Sequence, residues 1–301
     1  MGASERSHPT THLNLLKKCL MNYRLISLDV DGTLLDEQGG LTAENHSALL
    51  AARAMGVHII LNTGKPASSL DCLIDKLDIQ DPAITLTGGL IVQRDAYKCW
   101  RVIKGHPIPL PALQSLARLF QDTPVTIFVN LVDRNLIFVG QNDQVASQNL
   151  MTLLNNTHFS PYEIVDHSPL IDPEIVSLPV YAVKVNSHDE KLLEFMYSRM
   201  RQAAIPGIQF HNSSVSTIDI HAADTSKMVA LQYIASQLNI SPSQVIALGD
   251  NETDLAAVQW AGYGAIMANG PSIVRARAPH IVPGNQESGV AHVLNQYLLK
   301  E

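Results

Sequence analysis

Leu28-Asp29-Val30-Asp31-Gly32-Thr33-Leu34 is the stretch on which the reading of this chain turns. Arg24-Leu25-Ile26-Ser27-Leu28 leads into it, a short apolar run of the kind that forms a strand buried on both faces of a parallel sheet. Side chains two apart on an extended chain project to the same side, so Asp29 and Asp31 bring two carboxylates to one spot where that strand ends. Gly32 lets the backbone turn sharply just beyond them. Two anions forced together have no packing rationale, because each raises the cost of ionising the other unless a cation is present. A bare Asp-x-Asp also fits an acidic turn that caps a strand.

Downstream, Thr42 to Met55 reads as a helix, with Thr42 as its cap and Gly56 as its stop. Val57-His58-Ile59-Ile60-Leu61 is the next buried strand, and it runs into Asn62-Thr63-Gly64-Lys65-Pro66. Pro66 suits the first position of a helix reaching about Leu77. A hydroxyl and a glycine between a strand end and a helix N-terminus make a ready anion site, although Thr-Gly there also fits an ordinary turn. Ala83-Ile84-Thr85-Leu86 is expected as a third core strand, followed by Thr87-Gly88-Gly89.

From about residue 90 to 207 the texture changes. Val125–Val132 and Asn135–Val139, joined by Asp133-Arg134, read as an antiparallel hairpin. Helices are expected at Pro111–Gln121, Gln144–Leu154 and Asp189–Ala204, and a strand at Val180–Val185. Prolines cluster at 107, 109 and 111 and recur at 161, 169, 173 and 179, which implies kinked connections. The region reads as an inserted α/β lid. Its histidines, with His211 just beyond, are scattered and none pair at metal-ligand spacing, so each reads as a surface or core residue.

The main domain resumes near Ile208. Ser216-Thr217-Ile218-Asp219-Ile220 alternates as a strand, and a helix is expected from Ser226 to Leu238. Lys227 falls in its first turn, where the helix dipole disfavours a cation; a solvated lysine fits, and so does one serving something beyond the helix. Val245-Ile246-Ala247-Leu248 is a further buried strand that ends in Gly249-Asp250-Asn251-Glu252-Thr253-Asp254, ahead of a helix Leu255–Ala261. Asp250 and Asp254, four apart at this junction, suit the first turn of any helix; read with Asp29 and Asp31, they supply further metal ligands. Ala265-Ile266-Met267 leads to the turn Ala268-Asn269-Gly270-Pro271, and helices at Ser272–Ala278 and Ser288–Leu299, the latter capped by Ser288, close the chain.

At 301 residues two domains are the first expectation. Hydrophobic content of 46% with 16% charged residues is that of a globular protein rather than a disordered one. A net charge of −7 argues against a nucleic-acid binder, though not against an anionic substrate met by a few local cations. Three cysteines, Cys19, Cys72 and Cys99, are too few and scattered for a disulfide framework or a zinc cluster, which makes a reducing cytoplasm the expected compartment. No apolar run approaches the ~20 residues of a membrane span. Residues 1–20 read as a polar extension without a signal-peptide core, and Met21 could serve as an alternative start.

The string Asp29-Val30-Asp31-Gly32-Thr33-Leu34, together with Thr63-Gly64, Lys227 and Gly249-Asp250-x-x-x-Asp254, resembles the four motifs of the Cof-like subfamily of the haloacid dehalogenase superfamily, in order and at strand ends. The resemblance covers about residues 22–301. It implies an α/β fold: a doubly wound, Rossmann-like parallel core (21–89 and 208–301) interrupted by an α/β cap (90–207). Ligands of such sheets sit beyond the carboxyl ends of the strands. The implied activity is a Mg²⁺-dependent phosphatase of a small phosphorylated metabolite, with sugar phosphates the default and no nucleic-acid or membrane partner. Asp29 would be the nucleophile and Asp31 the general acid and base. The Asp29 carboxylate, the Asp31 carbonyl and Asp250 would hold Mg²⁺. Thr63, Gly64 and Lys227 would bind the phosphoryl group, with Thr253 and Asn269 lining the pocket. Asp254 would sit outside the metal, holding Lys227 or a metal-bound water. The chain departs from the subfamily at Lys65 (usually Arg), Thr87 and Thr253 (often Asn) and Met228 (commonly Gly).

Two other readings share these residues, a phosphomutase of the same superfamily and a non-enzymatic ligand-binding protein that keeps the fold. The complete Asp29, Asp31, Lys227 and Asp250 set speaks against the second, since binding alone needs no pair of attacking and proton-shuttling carboxylates. A nucleotide-binding dehydrogenase also fits the alternating pattern, but no Gly-x-Gly-x-x-Gly follows any expected strand.

Overall fold

The computed structural model describes residues 23–140 and 162–299. The expected extension 1–20, Met21 and the expected helix Gln144–Leu154 lie outside them. The chain divides into two compact units, one of residues up to Leu61 together with those from Leu231 onward, the other Asn62–Ala230.

The first unit opens with β1 (Leu25–Leu28), buried along its whole length. Each large apolar side chain withdrawn from water there contributes about 1.5–3 kcal/mol. Helix α1 (Ala43–Ala54) begins at Thr42, whose hydroxyl accepts the Asn45 N–H, and turns Asn45, Ala48, Leu49 and Ala52 inward. β2 (His58–Leu61) then runs parallel to β1.

In the second unit the helix expected from Pro66 comes in two pieces, a 3₁₀ turn at Ala67–Leu70 and α2 (Asp71–Leu77), with Pro66 extended just ahead of the turn. β3 (Ala83–Thr85) forms one parallel bridge between Ile84 and Asn62, but its ladder is antiparallel to β4 (Leu90–Arg94), which pairs in turn with β5 (Trp100–Gly105). The expected third core strand therefore belongs to a separate three-stranded sheet. The turn at Thr87-Gly88-Gly89 folds the chain back on β3 before it can cross over.

A six-stranded sheet follows. Helix α3 (Leu110–Phe120) precedes the hairpin of β6 (Thr126–Asn130) and β7 (Asn135–Phe138), closed at the expected turn by the Leu131 N–H donating to the Arg134 carbonyl. β8 (Tyr162–Ile164), the short α4 (Pro173–Val176) and β9 (Ala182–Asn186) lead to α5 (Glu190–Ala203), which Asp189 caps. β10 (Ile208–Ser214) and β11 (Thr217–Ala222) complete the order β10-β11-β9-β6-β7-β8. Leu113 and Leu116 of α3 and Leu193 and Met196 of α5 share one apolar cluster with Val129, Val183, Val185, Ile218 and Ile220 of the sheet.

Helix α6 (Lys227–Gln237) carries the chain back to the first unit. There β12 (Val245–Gly249), α7 (Glu252–Trp260), β13 (Tyr263–Met267), α8 (Ser272–Arg275), β14 (Ile281–Val282) and α9 (Gly289–Tyr297) complete it. The resulting sheet has the order β14-β13-β12-β1-β2 and is parallel throughout. Helix α7 packs Leu255 and Val258 against Ala247 and Ile266. Ser288 does not cap α9: it is left-handed (φ +54°) with no capping hydrogen bond, and its hydroxyl donates instead to Thr42 Oγ1 at 2.8 Å. The Ala291 N–H donates to Asn45 Oδ1 at 2.9 Å, so α9 is tied to the start of α1. Among the described residues, no helix is long and apolar enough to cross a membrane.

Candidate active site

The first unit gathers carboxylates at the C-terminal ends of its two central strands. Asp29 follows β1 directly, and its N–H donates to the Leu248 carbonyl at 3.0 Å, extending the β1–β12 pairing by one residue. Asp250 follows β12 directly, and Asp254 lies in the first turn of α7. Asp254 Oδ2 accepts the N–H groups of Asp250 (3.3 Å) and Asn251 (3.1 Å), so the turn between strand and helix is built around this carboxylate. One oxygen each of Asp29, Asp250 and Asp254 lies within 4.8 Å of the other two. Asp29 and Asp254 are buried, and Asp250 is half-buried.

Three carboxylates held this close repel one another unless a cation lies among them. Their all-oxygen donor set suits a hard dication of the Mg²⁺ or Ca²⁺ kind rather than a thiophilic metal. Asp254 thus stands with the other two while its Oδ2 accepts two backbone N–H groups.

Gly32 is required here on two counts. Its φ is +75°, in the left-handed region, and a Cβ on it would stand 2.6 Å from Asp250 Oδ2. Thr33, fully buried, aims its hydroxyl at Asp250 Oδ1 at 3.4 Å. Asp31 is exposed, and its side chain is not one of the three grouped carboxylates. Asn269 holds the loop from behind: its Nδ2 donates to the Gly32 carbonyl (2.8 Å), and its Oδ1 accepts the Asn285 N–H (3.0 Å). Asn285, almost fully buried, donates its own amide to the Leu35 carbonyl at 2.8 Å. Thr253 is half-buried in the first turn of α7.

The second unit brings together the other motif residues. Thr63 is buried, and its Oγ1 accepts the Lys65 N–H at 3.2 Å. The Thr63 N–H donates to the Ile84 carbonyl, and the Thr63 carbonyl accepts the Thr87 N–H. A Cβ on Gly64 would lie 3.3 Å from Thr87 Oγ1, so the two loops touch. Lys227 is only 3% exposed at the start of α6, and its carbonyl accepts from Asn62 Nδ2 at 3.2 Å. Gly88 (φ +90°) passes so close to that helix start that a Cβ would fall 2.2 Å from the Ser226 carbonyl oxygen. Thr63, Gly64, Thr87 and the Lys227 backbone therefore form one assembly, although more than 130 residues of chain separate its parts.

Sequence reasoning assigned no role to Thr33, Asn62 or Asn285. Thr33 was visible within the quoted string, two residues beyond Asp31. Asn62 and Asn285 show their work only through bonds to distant backbone, for which a single asparagine carries no local signal.

A family model described as haloacid dehalogenase-like hydrolase matches residues 26–294. The chain is 28% identical to YxeH of Bacillus subtilis (strain 168), over 92% of this chain and 99% of that one. It is 26% identical to the 5-amino-6-(5-phospho-D-ribitylamino)uracil phosphatase YwtE of the same organism, over 91% of this chain and 98% of that one. Among solved structures, a haloacid dehalogenase-like hydrolase from Bacteroides thetaiotaomicron superposes with a TM-score of 0.77 at 20% identity, covering 91% of this chain and 99% of the other.

Proposed function

The chain belongs to the haloacid dehalogenase-like hydrolases, a family of phosphatases, and on that premise we propose that it is a Mg²⁺-dependent phosphatase of a small phosphorylated metabolite. The observation that carries the proposal is the group of Asp29, Asp250 and Asp254 within 4.8 Å at the ends of β1 and β12. Asp29, with the Asp31 carbonyl and Asp250, would hold the ion, and Asp254 is near enough to join them. A bound dication offsets the repulsion between a carboxylate nucleophile and a phosphate dianion, and stabilises charge on the transferring oxygens.

Asp29 attacks phosphorus: its Oδ–P bond forms as the ester P–O bond breaks, giving an aspartyl-phosphate. Asp31 gives its proton to the departing alkoxide. It then takes one from the water that attacks the same phosphorus, which releases inorganic phosphate and regenerates Asp29. The exposed position of Asp31, beside the buried Asp29, suits a group that exchanges protons with the leaving group and water. We assign Thr63, Gly64 and Lys227 to the phosphoryl group, and Thr253 and Asn269 to the pocket wall. The hydrogen bond that Asn269 donates to the Gly32 carbonyl supports a positioning role for it besides.

Sugar phosphates remain the first substrates to try. A sugar phosphatase of haloacid dehalogenase subclass IIB superposes with a TM-score of 0.74, while YwtE acts on a phosphorylated ribitylaminouracil. A reducing cytoplasm is the proposed compartment. Phosphate release from p-nitrophenyl phosphate and from a phosphorylated-metabolite panel tests the proposal. Release should require Mg²⁺, and Asp250→Ala should raise the magnesium requirement steeply or abolish turnover. Full turnover in excess chelator would overturn it.

A further inference from the structure

The six-stranded sheet of the second unit buries one apolar face, with Val183, Val185, Ile218 and Ile220 in its core. Alternation puts the intervening Lys184 and Asp219 on the other face. The β10–β11 register sets His211 directly across from Asp219, and the β11–β9 register sets Asp219 across from Lys184. His221, two residues beyond Asp219, shares that face. One ligand atom from each of His211, Asp219 and His221 lies within 4.8 Å of the other two. The two imidazole rings stand 5.3 Å apart between centroids.

Their hydrogen bonding does not account for their burial. Asp219 and His221 are 3% and 2% exposed. Lys184 Nζ occupies Asp219 Oδ2 at 3.3 Å, but Asp219 Oδ1 and both ring nitrogens of His221 have no hydrogen-bond partner among the described residues. Polar atoms buried this way are costly, and such groups usually mark an unseen water or ion.

We propose that His211, Asp219 and His221 form a second metal site, for a transition-metal dication of the Zn²⁺ class. Two imidazoles and a carboxylate are the donors such ions favour over Mg²⁺, which prefers an all-oxygen shell. Asp219 binds through Oδ1 alone, since Lys184 holds the other oxygen. His211 is only half-buried and leaves the ion a way in. Bound there, the metal clips edge strand β10 to β11.

The test uses the full-length chain, stripped with chelator and titrated with Zn²⁺ in excess Mg²⁺, with Co²⁺ as a visible-absorption probe of the ligand field. One equivalent of Zn²⁺ should bind despite the Mg²⁺. His211→Gln and His221→Gln should each weaken binding by about 100-fold or more, the upper end of the loss seen even for groups one shell further out. Asp250→Asn should leave it unchanged. Should His221→Gln fail to fold by circular dichroism, the half-buried His211→Gln decides. Failure to bind Zn²⁺ in excess Mg²⁺, equal binding in the folded histidine variants, or loss of binding in Asp250→Asn would each overturn the proposal.

Discussion

Each of the two compact units packs three metal-competent side chains within 4.8 Å, and they do so by different means. In the first unit the trio is made only of carboxylates. It stands where parallel strands stop, and main-chain N–H groups and a tight glycine turn hold it in place. In the second unit the trio is two histidines and an aspartate on the face of an antiparallel sheet, held by strand register and one lysine. A cluster at strand ends meets backbone donors and loop residues, which suits a site that must receive and release a ligand. A cluster on a sheet face sits among side chains of fixed spacing, which suits a group that stays.

The strongest break in that comparison is Asp29→Asn. It removes the proposed nucleophile, so p-nitrophenyl phosphate hydrolysis should fall to background with the circular dichroism spectrum intact. Retained turnover would mean that the strand-end cluster is not the reactive centre.

Asp31→Asn should cost less, because the nucleophile survives and only proton transfer is lost, typically worth about 10²–10⁴ in rate. Its effect should depend on the leaving group. With an alkyl phosphate the first step fails. With p-nitrophenyl phosphate, whose leaving group is a weak base, the intermediate accumulates and gives a burst of product. An equal loss on both substrates would merge the two carboxylate roles.

The smallest effect is on stability and lies in the second unit. Lys184→Met leaves the buried Asp219 carboxylate without its ion pair, a change worth about 3 kcal/mol. Urea unfolding in chelator should therefore show a lowered midpoint, and Zn²⁺ should restore part of it. An unmoved midpoint would show that Lys184 does not hold Asp219 in place.

The same contrast explains what could be read in advance. Asp29 lies three residues before Gly32, and Asp250 and Asp254 are one helical turn apart, so the acidic strand ends were legible from spacing, whereas the Asp31 side chain, expected beside Asp29, is exposed and outside the group. His211, Asp219 and His221 meet only once the register of β10 against β11 is known, and along the chain they look like scattered polar residues. Ala83–Thr85 shows the same blindness. Its composition promised a buried strand and the structure has one, but the partner was decided by the turn at Thr87-Gly88-Gly89 and not by the strand.

By itself, then, the sequence determined the parallel α/β core, the family resemblance and the acidic residues at the ends of β1 and β12. Each of these rests on short-range regularities: apolar runs, two-residue alternation, caps and turn glycines. The tertiary structure alone decided that Asp254 stands with Asp29 and Asp250, that Asn269 and Asn285 brace the Gly32 loop, and that two histidines share a buried face with Asp219. Those arrangements depend on which distant segments pair and in what register. That choice is set by packing over the whole unit, and no local run of residues encodes it.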